Sequence, residues 1–299
     1  MDNLRGILLI VLSMAGFTLE DMFIKKLSGP LPTGQILIGL GLGSAVLFGL
    51  LATLAGQSLF DRAAWRPILL LRAASEALAA MFFATSLALV DISTVAAVFQ
   101  ALPLGLTMGA ALFLGEHVGW RRWTAIGLGF VGVLLIIRPG LDAFEPATLL
   151  VLVAVVAVVV RDLVTRRIDA AVSSLVISFQ GFASLIFAGA LMLPFSARPL
   201  GGVGAPEATM FAGAILFGAA GYLGIVIAMR VGEAAVVAPF RYTRLVFSML
   251  VGVFVFGERP DLATLAGSAL IIATGLYTFL RERRLARRPE PLQGEFPGD

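Results

Sequence analysis

The sequence predicts an all-α integral membrane protein with ten transmembrane helices arranged as two inverted five-helix repeats. Three observations support this prediction: the composition, the number of apolar runs, and two internal matches at nearly the same spacing. Of the 299 residues, 59% are hydrophobic and 14% are charged, and the mean hydropathy is +0.97. Soluble domains contain about 25% charged residues, so this chain belongs in a membrane.

The apolar runs divide the chain into ten candidate spans. A bilayer core about 30 Å thick needs roughly 20 apolar residues per helix. Breaks at charged and Pro/Gly-rich segments leave runs near 6–24, 34–55, 67–90, 93–114, 122–137, 146–161, 172–193, 209–229, 233–256 and 261–280. The intervening loops are short, so no soluble domain is expected between the spans. Residues 286–299 predict a disordered cytoplasmic tail.

The distribution of lysine and arginine predicts the orientation. With the N-terminus inside, fourteen of the 22 basic residues fall on the cytoplasmic side and five on the outer side. The other three, Arg72, Arg241 and Arg244, lie within spans. An excess of positive charge marks cytoplasmic loops, so both termini are expected in the cytoplasm of a bacterial cell, with the protein in the inner membrane.

The internal matches indicate a duplication. Residues 20–26 (EDMFIKK) match residues 161–167 (RDLVTRR) at an offset of 141, and Gly115–Glu116 matches Gly257–Glu258 at an offset of 142. Residues 1–140 would then form helices one to five, and residues 141–285 helices six to ten. Because five is odd, the second half enters the membrane upside down, as in many secondary transporters.

A set of motifs at corresponding places carries a family resemblance. Half one contains Pro103, then Gly115–Glu116, then Gly132. Half two contains APFRY at 238–242 and GERP at 257–260. Over residues 5–285 the chain resembles the drug/metabolite transporter superfamily in its EamA-type branch, and within it is similar to bacterial YddG-type amino-acid exporters. The resemblance implies export of small metabolites through a central cavity between the halves.

The ninth span contains the strongest site candidates, Arg241 and Arg244, which share a helix face with Val237 and Ser248. A charge at mid-membrane costs about 3 kcal/mol even on insertion scales, and it usually faces a partner or a wet cavity. Pro239 frees a backbone carbonyl of the same helix. We therefore predict that these arginines contact a substrate carboxylate.

Glu76 in the third span is the predicted counter-charge, since it lies near mid-membrane and one turn from Arg72. Glu76 could pair with Arg244 or with Arg72. Three interpretations stay open: an ion pair that only fixes the helices, a balance to the substrate-binding arginine or a contact for an ammonium group, and a proton-coupling carboxylate.

Weaker candidates complete the predicted site. Some residues combine a polar tip with an apolar body, some place a hydroxyl or amide group deep in the membrane, and some carry rings that could form an aromatic pocket. All of them could contact a substrate, although core packing and helix contacts explain most of them equally well. These candidates are Tyr242, Gln100, Tyr222, Phe17, Thr18, Phe83 and Phe99. Pro103 and Pro239 are predicted hinges. Asp21 and Asp162 are expected to cap or bridge the short loops, and Glu116 and Glu258 to mark the repeat structurally.

Several other functions are not supported by the residues. Residues 127–132 (GLGFVG) fit a dinucleotide-binding pattern but lie inside an apolar span without a preceding strand, so we interpret them as helix-packing glycines. The chain has no cysteine and only one histidine, His117, so no metal or cofactor is expected. The basic residues form no face for a phosphate backbone, which excludes nucleic acid as a partner.

The sequence therefore predicts a secondary transporter that exports neutral or aromatic amino acids by alternating access. The alternative within the superfamily is an exporter of other metabolites or drugs, or an importer, because a fold does not determine substrate or direction. A membrane-embedded enzyme would need clustered catalytic groups that are missing here. A channel or scaffold fits the inverted repeat less well. The expected partners are a small-molecule substrate and the lipid bilayer, with the protein as a monomer.

Overall fold

Ten membrane-spanning helices make up the fold of the described residues. The computed structural model describes residues 2–116, 118–141, 144–169, 172–231 and 234–286. The spans are α1 (Asn3–Leu27), α2 (Thr33–Leu54), α3 (Pro67–Leu89), α4 (Ile92–Phe113), α5 (Trp120–Ile137), α6 (Thr148–Thr165), α7 (Ser174–Phe195), α8 (Ala205–Ala228), α9 (Pro239–Phe256) and α10 (Leu262–Arg281). Ten spans were predicted, and ten are found in this part of the chain.

Two helices are interrupted near their prolines. The α4 span consists of Ile92–Phe99 and Leu102–Phe113, with Pro103 in the first turn of the second piece. The α9 span follows a short helix, Ala234–Val237, and begins with the 3₁₀ turn Ala238–Tyr242, which contains Pro239. Leu245 stands where half one has its proline, yet both helices are interrupted at nearly the same level of the repeat. The reason is that each proline removes a helical hydrogen bond close to that level.

The packing has the two-fold symmetry of an inverted repeat. Helix α1 packs along α8, and its counterpart α6 packs along α3, while α2 pairs with α7 and α5 with α10. The last two pairs are each formed by equivalent helices from the two halves. At the α5–α10 crossing, a Cβ atom added to Gly132 would lie 2.8 Å from the backbone oxygen of Gly267, so glycine is what permits this approach.

Ion pairs join the halves at both ends of the bundle. We call the end where α1 begins and α10 finishes the terminal end, and the opposite one the far end. At the far end, Lys25 of half one lies 3.8 Å from Glu258 of half two. At the terminal end, Arg166 of half two donates to Glu116 of half one at 3.1 Å. The two glutamates that mark the repeat thus each pair with the basic motif of the other half.

The far end is the more tightly closed. The Glu258 carboxylate accepts hydrogen bonds from the backbone N–H groups of Ile92 and Ser93 at 2.7 and 3.0 Å, and from the Ser93 hydroxyl at 2.7 Å. It therefore caps the N-terminus of α4, where an anion is favoured. Partial desolvation, and then the negative charge of Glu258, raise the pKa of the neighbouring Asp91 carboxyl. By contrast, both partners of the Arg166–Glu116 pair are 50% exposed.

Some expected boundaries were wrong. The sixth helix was expected to end near residue 161, but α6 continues to Thr165, so Arg161 lies inside a membrane helix and not in a cytoplasmic loop. The predicted tail lies outside the described residues except for Ala286, where the helix that contains the α10 span ends. His117 also lies outside them.

Candidate functional site

A cavity of about 240 Å³ lies at the centre of the bundle, between the two halves. Seven spans from both halves contribute to its wall, since the interrupted helices α4 and α9 meet there with α1, α3, α6, α8 and α10. Nine of the twelve predicted site residues lie on its wall: Phe17, Phe83, Phe99, Gln100, Pro103, Pro239, Arg241, Tyr242 and Arg244. The wall is mostly apolar with a few charges, as is usual for small-molecule sites.

Arg244 is held by a carboxylate and by aromatic rings. Its guanidinium donates a 2.7 Å hydrogen bond to Asp21, so a residue of α9 in half two is paired with one of α1 in half one. The same guanidinium lies 5.3, 5.7 and 5.6 Å from the ring centroids of Phe17, Phe83 and Phe99. At these distances a cation is attracted by the faces of the rings. Arg244 is therefore fixed in position at the cavity wall.

The pairing of Asp21 corrects the sequence-based expectation. Asp21 was expected to cap or bridge a loop near the membrane surface, but it is only 3% exposed and lies on the cavity wall. The physical reason is that α1 extends to Leu27, beyond the run first assigned to it, so Asp21 lies more than one turn inside the helix. A buried carboxylate needs a counter-charge, and Arg244 provides it.

Arg241 is the available cation of the cavity. Its side chain is exposed to the cavity, and within the described residues it forms no hydrogen bond or salt bridge. The charged groups that act on it are Asp162, Arg161 and Arg244. Because Arg244 is already neutralised by Asp21, Arg241 is the guanidinium with free donors.

Glu76 belongs to a separate charged cluster. Its two carboxylate oxygens lie 2.9 Å from Arg161 and 3.2 Å from Arg72, and Arg161 also bonds Asp162 at 2.8 Å. The predicted pairing with Arg72 is found, whereas the alternative pairing with Arg244 is not, because Asp21 occupies that guanidinium. Glu76 itself is not part of the cavity wall, although Arg161 and Asp162 are.

Two further predicted residues lie away from the wall. Thr18 is 1% exposed, and its hydroxyl donates to the backbone oxygen of Met14 at 3.0 Å. Tyr222 packs edge-on against Phe48, with 5.5 Å between the ring centroids. Both residues lie at helix interfaces and not on the cavity wall.

The sequence reasoning missed the acidic and basic residues contributed by α1 and α6. Asp21, Arg161 and Asp162 all lie on the wall, and all three fall within the internal match between residues 20–26 and 161–167. That match was used only to detect the duplication. A repeated carboxylate inside a membrane helix was itself a signal of a buried partner.

Two inverted five-helix halves around a central charged cavity define the class of this protein as a membrane transporter. The chain belongs to the EamA-like transporter family, whose model matches residues 4–138 and again residues 146–280. This match confirms the family resemblance that the sequence motifs predicted. The family consists of transporters and not of enzymes.

Curated relatives of the chain transport different compounds. It is 26% identical over 212 residues to an S-adenosylmethionine uptake transporter of Rickettsia conorii, covering 69% of each chain. It is 29% identical to a riboflavin transporter of Rhizobium johnstonii, covering 83% of this chain and 81% of the relative. It is 26% identical to the pseudopaline exporter CntI of Pseudomonas aeruginosa, covering 89% and 93%.

A solved crystal structure has the same fold. It matches with a TM-score of 0.62 and 21% sequence identity, covering 92% of this chain and 98% of the other. The match supports the arrangement of the helices and nothing more specific.

Proposed function

We propose that this protein is a secondary transporter that moves a small metabolite with a carboxylate and an apolar or aromatic body, of the amino-acid type, across the bacterial inner membrane. The single observation that carries the proposal is the unpaired guanidinium of Arg241 on a wall that also presents three phenylalanine rings. A planar guanidinium binds a carboxylate through two parallel hydrogen bonds. The rings of Phe17, Phe83 and Phe99 provide the apolar surface for the rest of the substrate.

The size and charge of the cavity support a small substrate. Its volume of about 240 Å³ lies below the roughly 300–1,000 Å³ typical of drug-sized ligands. Asp162 also lies on the wall, and its carboxylate can accept from a substrate ammonium group. Opposite charges on one wall suit a zwitterion, which favours amino acids over neutral drugs.

The relatives bear on substrate class and direction. S-adenosylmethionine is itself an amino-acid derivative, and both it and riboflavin carry fused aromatic rings, which fits a wall of arginine and phenylalanine. These relatives include an uptake transporter and an exporter. We propose that the substrate is moved out of the cell. Both termini would lie in the cytoplasm, as the distribution of basic residues predicts.

Alternating access is supported by the unequal ends of the bundle. At the far end the carboxylate of Glu258 is buried, whereas at the terminal end both partners of the Arg166–Glu116 pair are half exposed. Opening one end while the other closes would carry the cavity from one face of the membrane to the other. The interruptions of α4 and α9 supply bends at the level of the cavity, so Pro103 and Pro239 are proposed hinges.

A counterflow assay in proteoliposomes tests the proposal. Labelled amino acids, S-adenosylmethionine, riboflavin and nucleobases are each offered outside vesicles loaded with the same unlabelled compound. We expect counterflow for at least one amino-acid-type compound. Arg241→Gln should reduce its rate at least about tenfold, since a charge-assisted bond is worth about 1.5–3 kcal/mol.

The matched control is Arg62→Gln, which removes an exposed guanidinium far from the cavity and should leave the rate unchanged. Counterflow of nucleobases alone would contradict the proposed substrate class. A normal rate in Arg241→Gln would contradict the proposed site.

A further inference from the structure

Glu20 is a titratable residue of the bundle interior that the proposed substrate site does not use. It lies on α1, directly before Asp21, and it is half-buried by protein. Its carboxyl lies against the buried Gly218 of α8, where an added Cβ would come within 2.6–2.8 Å of both oxygens. Within the described residues it has no hydrogen bond and no salt bridge.

The repeat shows why Glu20 lacks a partner. Glu20 corresponds to Arg161 at the offset of 141, and Gly218 corresponds to Glu76 at the offset of 142. The packing of α1 on α8 is likewise the counterpart of the packing of α6 on α3. Arg161 forms a salt bridge with Glu76 at 2.9 Å. At the equivalent contact of the other packed pair, Glu20 faces Gly218, which has no side chain to bind it.

The charges around Glu20 are few. The groups that act on it are Asp21 on its own helix, Arg244 on α9 and Glu76 on α3. From α8 the facing residue is Gly218, and the titratable residue one turn further along is Tyr222, whose ring packs against Phe48. The adjoining first piece of α4, Ile92–Phe99, has no titratable side chain.

Arg244 attracts Glu20 but carries only one positive charge, which the bonded carboxylate of Asp21 already balances. Glu76 likewise carries its own two arginine partners. An ionised Glu20 would therefore add a further carboxylate to this part of the membrane without a cation of its own. Such a group is expensive in a bilayer unless it is neutralised.

The cation that fits beside the Glu20 carboxylate is a proton. Glu20 is not on the cavity wall, so the charged group of a bound substrate does not reach it in this conformation. Hard metal cations take six or more oxygen ligands, whereas the carboxyl of Glu20 lies against a glycine. A proton needs only the carboxylate itself.

We infer that Glu20 is the proton-binding carboxylate that couples this transporter to the proton gradient, in the place where the other half has an internal salt bridge. When Glu20 is ionised, two adjacent carboxylates face the single guanidinium of Arg244. When a proton binds its carboxylate oxygen, one negative charge disappears, and Asp21 and Arg244 remain as a neutral pair. Protonation thus changes the electrostatics beside the substrate cavity without a redox step or a leaving group.

This inference rests on the proposed function, since coupling requires a transporter. Two measurements distinguish a failure of this inference from a failure of the proposed function. The first uses purified protein without substrate: infrared difference spectra between acid and alkaline pH record the C=O stretch of carboxyls that gain a proton. We expect Glu20→Gln to lose one such band, and Glu20→Asp to keep it at a shifted position.

The second measurement is accumulation of the compound with the largest counterflow signal under an imposed pH difference. For one coupled proton, each pH unit is worth a factor of about ten in accumulation. We expect this in the wild type and in Glu145→Gln, which changes an exposed loop glutamate. Glu20→Gln should keep counterflow but show no accumulation driven by the gradient.

Accumulation by Glu20→Gln equal to the wild type would overturn the inference, as would an unchanged set of infrared bands or a requirement for sodium. If the wild type shows no counterflow with any compound, the proposed function fails. The infrared measurement would then still decide whether Glu20 binds a proton.

Discussion

The carboxylate of Asp21 accepts a 2.7 Å hydrogen bond from the guanidinium of Arg244, and this pair joins the two halves at the wall of the central cavity. The partners lie on α1 and α9, 223 positions apart in the chain. Their side chains are 5% and 20% exposed, so the pair is largely withdrawn from solvent. Its removal should affect both stability and transport.

For this pair we predict that Arg244→Ala abolishes transport and lowers the free energy of unfolding by about 3–5 kcal/mol, because it leaves the Asp21 charge buried alone. The double variant Asp21→Asn with Arg244→Gln should recover much of the stability but not the transport. Thermal unfolding in detergent and counterflow measure the two effects. If the double variant is no more stable than Arg244→Ala, the ion pair is not the cause of the loss.

At the ends of the bundle we predict unequal effects of equivalent substitutions. Glu258→Gln should be clearly destabilising, because the carboxylate accepts three hydrogen bonds at the start of α4 and is only 4% exposed. Glu116→Gln should change stability by about 0–1 kcal/mol, as is usual for exposed pairs. Melting temperatures of the two variants provide the comparison. Equal losses would contradict the assignment of the far end as the tightly closed one.

Glu76→Gln should act on stability and not on the pH dependence of transport. The substitution leaves Arg72 and Arg161, which are 12% and 24% exposed, without their shared carboxylate. Loss of one partner from a buried charged network costs about 3–5 kcal/mol. The measurement pairs thermal unfolding with a pH profile of counterflow. A stable variant with an altered profile would instead assign the proton-coupling role to Glu76.

The glycine at the α5–α10 crossing should be intolerant of a side chain. In Gly132→Ala the new Cβ would lie 2.8 Å from the Gly267 oxygen and 3.3 Å from the backbone nitrogen of Ile271, so the helices must separate. Gly127 is the matched control on the same helix, because an added Cβ there meets nothing within 4 Å. We expect Gly132→Ala to lower the melting temperature and Gly127→Ala to leave it unchanged or raise it slightly. Equal effects would show that the crossing does not depend on this contact.

Much of the candidate site could be predicted from residues that are costly in a membrane. Arg241, Arg244 and Glu76 stand out in apolar runs, and Pro103 and Pro239 mark breaks in such runs. The phenylalanines on the wall were only weak candidates, because single rings in apolar helices are as well explained by core packing. The partners of these charges could not be predicted in the same way. Asp21 was placed on helix one but expected to cap or bridge a short loop near the surface, because that helix was taken as ending near residue 24. Arg161 was counted with the cytoplasmic residues, because its helix was taken as ending there.

The sequence by itself determined the membrane location, the ten spans and the inverted duplication, because apolar length and internal matches are local properties of the chain. The tertiary structure alone decided which charges neutralise each other. Asp21 and Arg244, or Glu76 and Arg161, are far apart in sequence and meet only when the halves pack with two-fold symmetry. The same packing places Glu20 against Gly218, since the repeat preserves the contact while the two halves carry different side chains there.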